Sequence, residues 1–246
     1  MMLSQAHFIF PADMVGPPGP LPAGAKRVEL ETLDGHRLHG VHIPASGPAG
    51  PRTLVLGFGG NAWNGEDVGA YLHGIFPEAD VVTFHYRGYR PSTGRPSAAA
   101  LLADAPLIHD FAVERVKPRR TVVVGFSIGS GVAASLAKRR PVDGLILVTP
   151  FDSLKAVAAG LYPWLPVGLF FQHEIDAADS LAGSPVPVAV IAAEHDEIIA
   201  GERTAALRDR LANLRFDHVL RGAGHNDIYQ RADFQAKMRE AMAALR

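Results

Sequence analysis

The chain has 246 residues, of which 48% are hydrophobic and 20% are charged, and its formal net charge is −1 at pH 7. This length and composition are typical of one globular domain with a sizeable core, and the near-neutral charge gives no sign of a nucleic-acid partner. The sequence contains no cysteine, which excludes disulfides, thiolate metal sites and a cysteine nucleophile.

The first eleven residues lack the basic segment and the long apolar stretch of a signal peptide. No run in the sequence approaches the ~18 consecutive apolar residues of a membrane span. We therefore expect a cytoplasmic protein with no membrane span. The sequence leaves the oligomeric state open.

Short strands alternate with helices along the chain. Segments 26–32 and 37–43 predict two paired strands, joined at Asp34-Gly35, which is a strong hairpin signal. Six apolar runs predict further strands, the last of them weaker than the others, at 53–57, 81–84, 121–124, 145–148, 188–192 and 216–220. Runs this short and this apolar fit strands buried on both faces of a mostly parallel sheet.

Helices are predicted between these strands, at 66–76, 98–115, 130–139, 200–214 and 232–245. The alternation predicts an α/β fold with a doubly wound sheet, in a single domain over residues 1–246. Segment 151–185 contains no strand signal but several aromatic residues. It is either a set of surface helices or a short cap-like insertion whose aromatics shape an acyl pocket.

A serine between two glycines follows the run at 121–124, in the segment Gly125-Phe126-Ser127-Ile128-Gly129. A serine hydroxyl is a weak nucleophile that must stand clear of the backbone, within reach of a base. A sharp turn from strand to helix achieves this and leaves room only for glycine on either side. We therefore predict Ser127 as a nucleophile, with a helix beginning near Ser130.

A nucleophilic serine requires a base and an acid that orients it. Among eleven histidines, His225 lies in a glycine-flanked loop between the last predicted strand and the last predicted helix. Asp196, after the preceding strand, is the predicted acid, with Glu194 and Glu197 as alternatives. A competing interpretation is that these acidic residues only cap the helix near Ala200.

The predicted oxyanion hole takes one backbone N–H from Ile128 and a second from Asn61, in the glycine-containing loop after the strand at 53–57. That loop is not a phosphate-binding loop, because no Gly-Lys-Ser/Thr follows it. His36, His39 and His42 are not predicted to bind a metal, because alternation along a strand separates them onto two faces. Neither a metal nor a cofactor is expected. The candidate substrate pocket is aromatic and comprises Phe58, Trp63, Phe126, Phe151, Tyr162 and Trp164.

With these residues placed, the chain resembles the α/β-hydrolase superfamily, and more narrowly its Bem46 or ABHD13-like branch, also described as serine-aminopeptidase-like. Five short segments carry the resemblance in order, at 58–62, 85–94, 125–129, 196–199 and 222–227. The resemblance implies a mostly parallel central sheet flanked by helices, with a short cap region. Three positions differ from the residues usual in that branch: Gly59 replaces a histidine, Arg90 replaces a glycine and Ala200 replaces a proline.

The segment Tyr86-Arg87-Gly88-Tyr89 is predicted to be a rigid turn in which the Arg87 guanidinium bonds backbone carbonyls. The alternative is that Arg87 contacts a substrate carboxylate or phosphate.

These residues predict a serine hydrolase that acts on a small-molecule acyl ester or thioester through an acyl-enzyme. Two alternatives stay open: a non-catalytic binding protein of the same fold, and an acyltransferase that uses the same triad. Dehalogenase chemistry is excluded, because it requires a carboxylate where Ser127 stands.

Overall fold

A computed structural model describes residues 5–47, 52–164 and 171–246 of the chain. Its internal contacts divide the chain into two compact units, Met1–Val123 and Val124–Arg246. The prediction of a single domain with a cap over 151–185 stays a prediction, and residues 165–170 of that region lie outside the described residues.

The first unit has four complete strands in the order β1-β2-β4-β3, followed by the start of β5. The pairs β1·β2 and β2·β4 are antiparallel, whereas β3·β4 is parallel. Its elements are α1 (Gln5–Ile9), β1 (Lys26–Glu31), β2 (Arg37–Ile43), β3 (Thr53–Phe58), α2 (Gly65–Ile75), β4 (Asp80–Phe84) and α3 (Ala98–Val116).

The second unit begins within β5 and continues in the order β5-β6-β7-β8, with β6·β7 and β7·β8 parallel. Its elements are β5 (Arg120–Phe126), α4 (Ile128–Ala137), β6 (Gly144–Val148), α5 (Leu154–Leu161), α6 (Ala177–Leu181), β7 (Val188–His195), α7 (Gly201–Arg208), β8 (Leu214–Gly224) and α8 (Ala232–Ala244). The predicted α/β class with a mostly parallel sheet is confirmed.

The hairpin prediction is confirmed in detail. Thr32 and His36 close the turn with a hydrogen bond from the Thr32 N–H to the His36 carbonyl, at 2.8 Å. Gly35 has a φ of +80°, which glycine adopts without strain. Turn chemistry of this kind is local, and the sequence therefore reveals it.

One predicted helix is much too long. The helix expected over 200–214 ends at Arg208, and Leu214 already begins β8. Leu211 instead forms an isolated bridge with Ala182. The weak strand signal at 216–220 also has a physical cause: β8 stands last in the strand order and buries only part of its side chains.

None of the described helices is both long enough and apolar enough to cross a lipid bilayer.

Candidate active site

Ser127 occupies a strained turn between β5 and α4. Its φ is +50° and its ψ is −118°, a conformation that non-glycine residues rarely adopt. Such strain costs about 1–3 kcal/mol and persists only where surrounding structure enforces it. At Gly125, an added Cβ would lie 2.3 Å from the Gly129 carbonyl oxygen. The prediction that only glycine fits before this turn is therefore confirmed for Gly125.

Backbone contacts on both sides hold Ser127 in this conformation. Its N–H donates to the Val148 carbonyl at 2.9 Å, and its own carbonyl accepts from the Ser130 hydroxyl at 2.6 Å. Helix α4 begins at Ile128, two residues earlier than predicted. The Ser127 hydroxyl makes no capping bond to that helix, although serine often does so at this position.

The Ser127 hydroxyl is instead directed at His225. Its Oγ lies 3.0 Å from His225 Nε2, and both carboxylate oxygens of Asp196 lie 2.9 Å from His225 Nδ1. An ionised carboxylate only accepts hydrogen bonds, so the tautomer assigned by this contact carries its proton on Nδ1 and leaves Nε2 free to accept from the serine. The structure thus brings together the three residues that the sequence predicted as nucleophile, base and acid.

The site is largely shielded from water, since only 7% of the His225 side chain and 5% of the Asp196 side chain are exposed. A charge-assisted hydrogen bond is stronger in such surroundings than in water. Asp196 Oδ1 also accepts the backbone N–H groups of Ile198 and Ile199, at 3.0 and 2.7 Å. These bonds hold the Asp196 carboxylate in the position from which it contacts the imidazole.

The two alternative acids have other partners. Glu197 Oε2 accepts the backbone N–H of His225 at 3.0 Å, and Glu194 Oε2 accepts that of Gly222 at 2.7 Å. Neither carboxylate contacts the imidazole. The competing interpretation, in which these acidic residues only cap the helix near Ala200, is wrong. Ala200 itself is the N-cap residue of α7, and no side-chain hydrogen bond caps this helix.

Two residues near Ser127 and Asp196 were not singled out by the sequence. Thr149, at the end of β6, has a φ of +44°, and its Oγ1 lies 3.4 Å from the Tyr229 hydroxyl. Burial, and to a lesser extent the charge of Asp196, raises the pKa of Tyr229 to about 12, so this hydroxyl is neutral at ordinary pH. The Tyr229 ring packs edge-on against Phe126, with centroids 5.7 Å apart. Pattern reasoning found neither residue, because an isolated threonine or tyrosine carries no motif.

In the first unit, three successive carbonyls of the loop after β3 are held by hydrogen-bond donors. The Tyr86 hydroxyl donates to the Gly59 carbonyl at 2.7 Å, and the Tyr89 hydroxyl donates to the Asn61 carbonyl at 2.8 Å. Between them, the Trp63 N–H donates to the Gly60 carbonyl at 3.3 Å. The peptide planes that flank the Asn61 N–H are therefore fixed. Whether this N–H serves as an oxyanion donor stays a prediction.

The glycine at position 59, where the Bem46 or ABHD13-like branch has a histidine, has a steric explanation. A Cβ at this position would lie 2.8 Å from Val68 Cγ2. A side chain at position 59 would therefore clash with α2, against which this loop packs closely.

The six candidate pocket residues divide by burial. Phe58, Phe126 and Phe151 are fully buried, and Phe151 packs so closely on α4 that a Cβ at Gly131 would meet its ring. Tyr162 and Trp164 are exposed and pack edge-on at 5.9 Å, and Trp63 is half-buried against Tyr71. Their assignment to a pocket stays a prediction.

A groove of about 280 Å³ runs between α5 and the loop that carries Asp196. Its apolar wall consists of Ala156, Val157, Gly160 and Leu161, with Ile198 on the opposite side. Helix α5 therefore contributes to a concave surface beside Asp196.

The partners predicted for Arg87 are wrong. Its guanidinium bonds two carboxylates rather than backbone carbonyls, with Asp104 at 3.0 Å from Nε and a second, short contact to Asp34. Asp104 is buried on α3, and burial raises its pKa although Arg87 opposes the shift. The prediction missed these partners because they lie 17 and 53 residues away in the chain.

The three histidines around β2 lie beside three different carboxylates. His42 Nε2 is 2.8 Å from Asp80 Oδ1, His39 Nδ1 is 3.7 Å from Glu29 Oε2, and His36 Nε2 is 3.9 Å from Asp34 Oδ2. Among the described residues, no three His, Asp or Glu side chains are grouped so that they could hold a metal ion.

Comparison with known proteins agrees with this architecture. A family model described as alpha/beta hydrolase fold matches residues 54–171. The uncharacterized protein Rv2307c of Mycobacterium tuberculosis is 37% identical over 211 residues, which cover 84% of this chain and 74% of that protein. The lysophosphatidylserine lipase ABHD12 of Danio rerio is 32% identical over 153 residues, covering 55% of this chain and 40% of that protein.

Among solved structures, an alpha-beta hydrolase from Vibrio vulnificus superposes with a TM-score of 0.76 at 18% identity, and the match covers 98% of this chain and 92% of that one. At this identity the similarity demonstrates the fold alone. The narrower resemblance to the Bem46 or ABHD13-like branch stays a prediction. The matched family, the relatives and the fold together place the chain in the α/β-hydrolase superfamily.

Proposed function

We propose that this chain is a serine hydrolase that cleaves small acyl esters or thioesters through a covalent acyl-enzyme. The observation that carries the proposal is the unbroken line of hydrogen bonds from Ser127 Oγ through His225 to Asp196, at 3.0 and 2.9 Å. Each atom in that line has the donor or acceptor character that nucleophilic catalysis requires.

In the proposed mechanism, Ser127 Oγ attacks the acyl carbonyl carbon while its proton passes to His225 Nε2. Asp196 accepts the Nδ1–H bond throughout and stabilises the imidazolium that forms. Nε2 then delivers the proton to the leaving oxygen or sulfur, and the acyl group stays on Ser127. Water, deprotonated by the same Nε2, attacks the acyl carbon, the bond from that carbon to Ser127 Oγ breaks, and Nε2 returns the proton to Oγ as the acid is released.

The developing oxyanion requires donors that are already in place. The Ile128 N–H lies at the start of α4, directly after the nucleophile, where the helix dipole also favours negative charge. We propose the Asn61 N–H as the second donor. Removal of one such donor typically costs ~10²–10³ in kcat.

Esters and thioesters are proposed over amides because their leaving groups need less assistance from a single general acid. Because the relative ABHD12 is named a lysophosphatidylserine lipase, lysophosphatidylserine is one of the esters to be tested. The apolar wall of α5 beside the acid loop is consistent with an acyl substrate.

The decisive test is labelling with a fluorophosphonate probe, which reacts with activated serines. We expect the wild type to be labelled and Ser127→Ala and His225→Ala to remain unlabelled. Ser135→Ala is the matched control, because it removes a buried serine hydroxyl from α4 outside the triad and should label normally.

A labelled protein is then assayed with esters and thioesters of graded chain length. If well-folded wild type shows neither labelling nor turnover, the hydrolase proposal fails and a non-catalytic role for the fold takes its place.

A further inference from the structure

We propose that Glu197 is a positioning residue for His225. Together, Glu197 and Glu194 fasten the base loop, defined as residues 222–227 at the end of β8 and just after it, to the segment that carries Asp196. The inference rests on the proposed function, since it assigns a role toward the same triad. It gives a purpose to two carboxylates that lie beside Asp196 without contacting the imidazole.

Both carboxylates accept hydrogen bonds from backbone amides of the base loop. Glu197 Oε2 lies 3.0 Å from the His225 nitrogen, and Glu194 Oε2 lies 2.7 Å from the Gly222 nitrogen. With the bond from Asp196 to the ring, the segment Glu194–Glu197 holds the base loop at three points. Bonds from a backbone N–H to a carboxylate are stronger than those between neutral groups.

These bonds occur where the sheet ladder is irregular. Strand β7 pairs through Ala193 with Leu220 and through His195 with Gly224, so the one intervening residue of β7, Glu194, lies opposite three intervening residues of β8. Gly222 lies within this bulge and has a φ of +66°. A bulge leaves amides without ladder partners, and the Glu194 carboxylate supplies one for Gly222.

The Glu197 bond has a direct consequence for the imidazole. The backbone N–H of His225 fixes the position from which the side chain departs, whereas Asp196 fixes the orientation of the ring. Both constraints are needed to keep Nε2 at 3.0 Å from Ser127 Oγ. Gly224 lets the carboxylate approach, since a Cβ there would lie 3.0 Å from Glu197 Oε2.

A hydrogen-bonding role and a purely electrostatic role predict different results. Glutamine at position 197 keeps an acceptor oxygen but loses the charge, whereas alanine loses both. Since Glu197 is exposed, solvent and salt screen its charge, and the hydrogen bond is the larger contribution. We therefore expect the glutamine variant to resemble the wild type.

The experiment compares Glu197→Ala, Glu197→Gln and the control Glu240→Ala in ester turnover and in the rate of fluorophosphonate labelling. Glu240 is an exposed acid on α8 that pairs with Lys237, so the control reproduces the change of charge away from the base loop. In Glu197→Ala we expect kcat to fall about tenfold or more with KM within twofold, because small misplacements of a catalytic group are costly. Labelling should slow in parallel, and Glu197→Gln and Glu240→Ala should stay within about threefold of the wild type.

Two results would overturn the inference: wild-type kcat in Glu197→Ala, or equal loss in the alanine and glutamine variants. A thermal melt of each variant separates misplacement of the base from unfolding, since the positioning role predicts folded protein with reduced kcat. Failure of the proposed function is distinct, because the wild type itself would then neither label nor turn over.

Discussion

At the scale of single residues, Asp196 is the acid in contact with the imidazole. Asparagine at this position can donate to Nδ1 and so favours the tautomer that places the proton on Nε2, where it cannot accept from Ser127. We expect Asp196→Asn to lower kcat by ~10⁴-fold, as loss of the correct tautomer does in serine proteases. Steady-state kinetics with a short-chain ester measures this loss.

The matched control is Asp209→Asn, an exposed substitution of the same chemistry at the C-terminal end of α7, which should leave kcat unchanged. Near-normal turnover in Asp196→Asn would reassign the acid to another carboxylate.

At the scale of elements, the turn from β5 to α4 depends on the absence of a side chain at Gly125. A Cβ there would lie within 2.3–2.6 Å of backbone atoms of Gly129 and Ser130, which cannot rotate away. We expect Gly125→Ala to lower the melting temperature and to abolish fluorophosphonate labelling, because the helix must shift away from the strand. Differential scanning fluorimetry and labelling report the two effects.

Gly74→Ala is the contrasting variant. Gly74 is exposed on α2, nothing lies within 4 Å of the added Cβ, and alanine is the better helix former by about 1 kcal/mol. This variant should be as stable as the wild type or more so. A Gly125→Ala protein with normal labelling would contradict the steric argument.

The ion pair between Arg87 and Asp104 joins the turn after β4 to helix α3. Only 11% of the Arg87 side chain and 4% of the Asp104 side chain are exposed. We expect Arg87→Met to destabilise the fold by about 3–5 kcal/mol in urea denaturation, because it leaves a buried carboxylate without its partner.

The double variant Arg87→Met/Asp104→Asn removes that orphaned charge and should recover part of the loss. If the two changes proved additive instead, the two side chains would not be coupled.

At the scale of the whole molecule, stability should fall in acid partly through the hairpin. Hydrogen bonds from Thr32 and then Arg87 lower the pKa of Asp34 from 3.8 to about 2. A carboxyl whose pKa is lower in the folded than in the unfolded protein stabilises the fold at pH values above its unfolded-state pKa. This stabilisation is lost as the pH falls from about 4 toward 2. We expect Asp34→Asn, which keeps the turn chemistry, to lose less thermal stability over that interval than the wild type.

Melting temperatures at pH 5, 4, 3 and 2 test this expectation. Asp104 acts in the opposite sense, since burial raises its pKa and its ionisation opposes folding as the pH rises above about 4. Parallel melting curves for wild type and Asp34→Asn would contradict the contribution of Asp34.

Much of the fold was predictable because its signals are local. Apolar runs, the Asp34-Gly35 turn and the glycine before Ser127 each act over a few residues, and all three lie where the sequence predicts. The helix at 200–214 was overextended because its end is set by the bridge from Leu211 to Ala182, a contact across the chain.

By itself, the sequence determined the order Ser127, Asp196, His225 and the kinds of turn that present these residues. The tertiary structure alone decided which of three neighbouring acids meets the imidazole and that Arg87 pairs with carboxylates. It also placed Tyr229 beside Phe126. Such choices depend on distances between residues far apart in the chain, as between Ser127 and His225, which are 98 positions apart. Local propensity carries no information about those distances, which packing of the strands and loops sets.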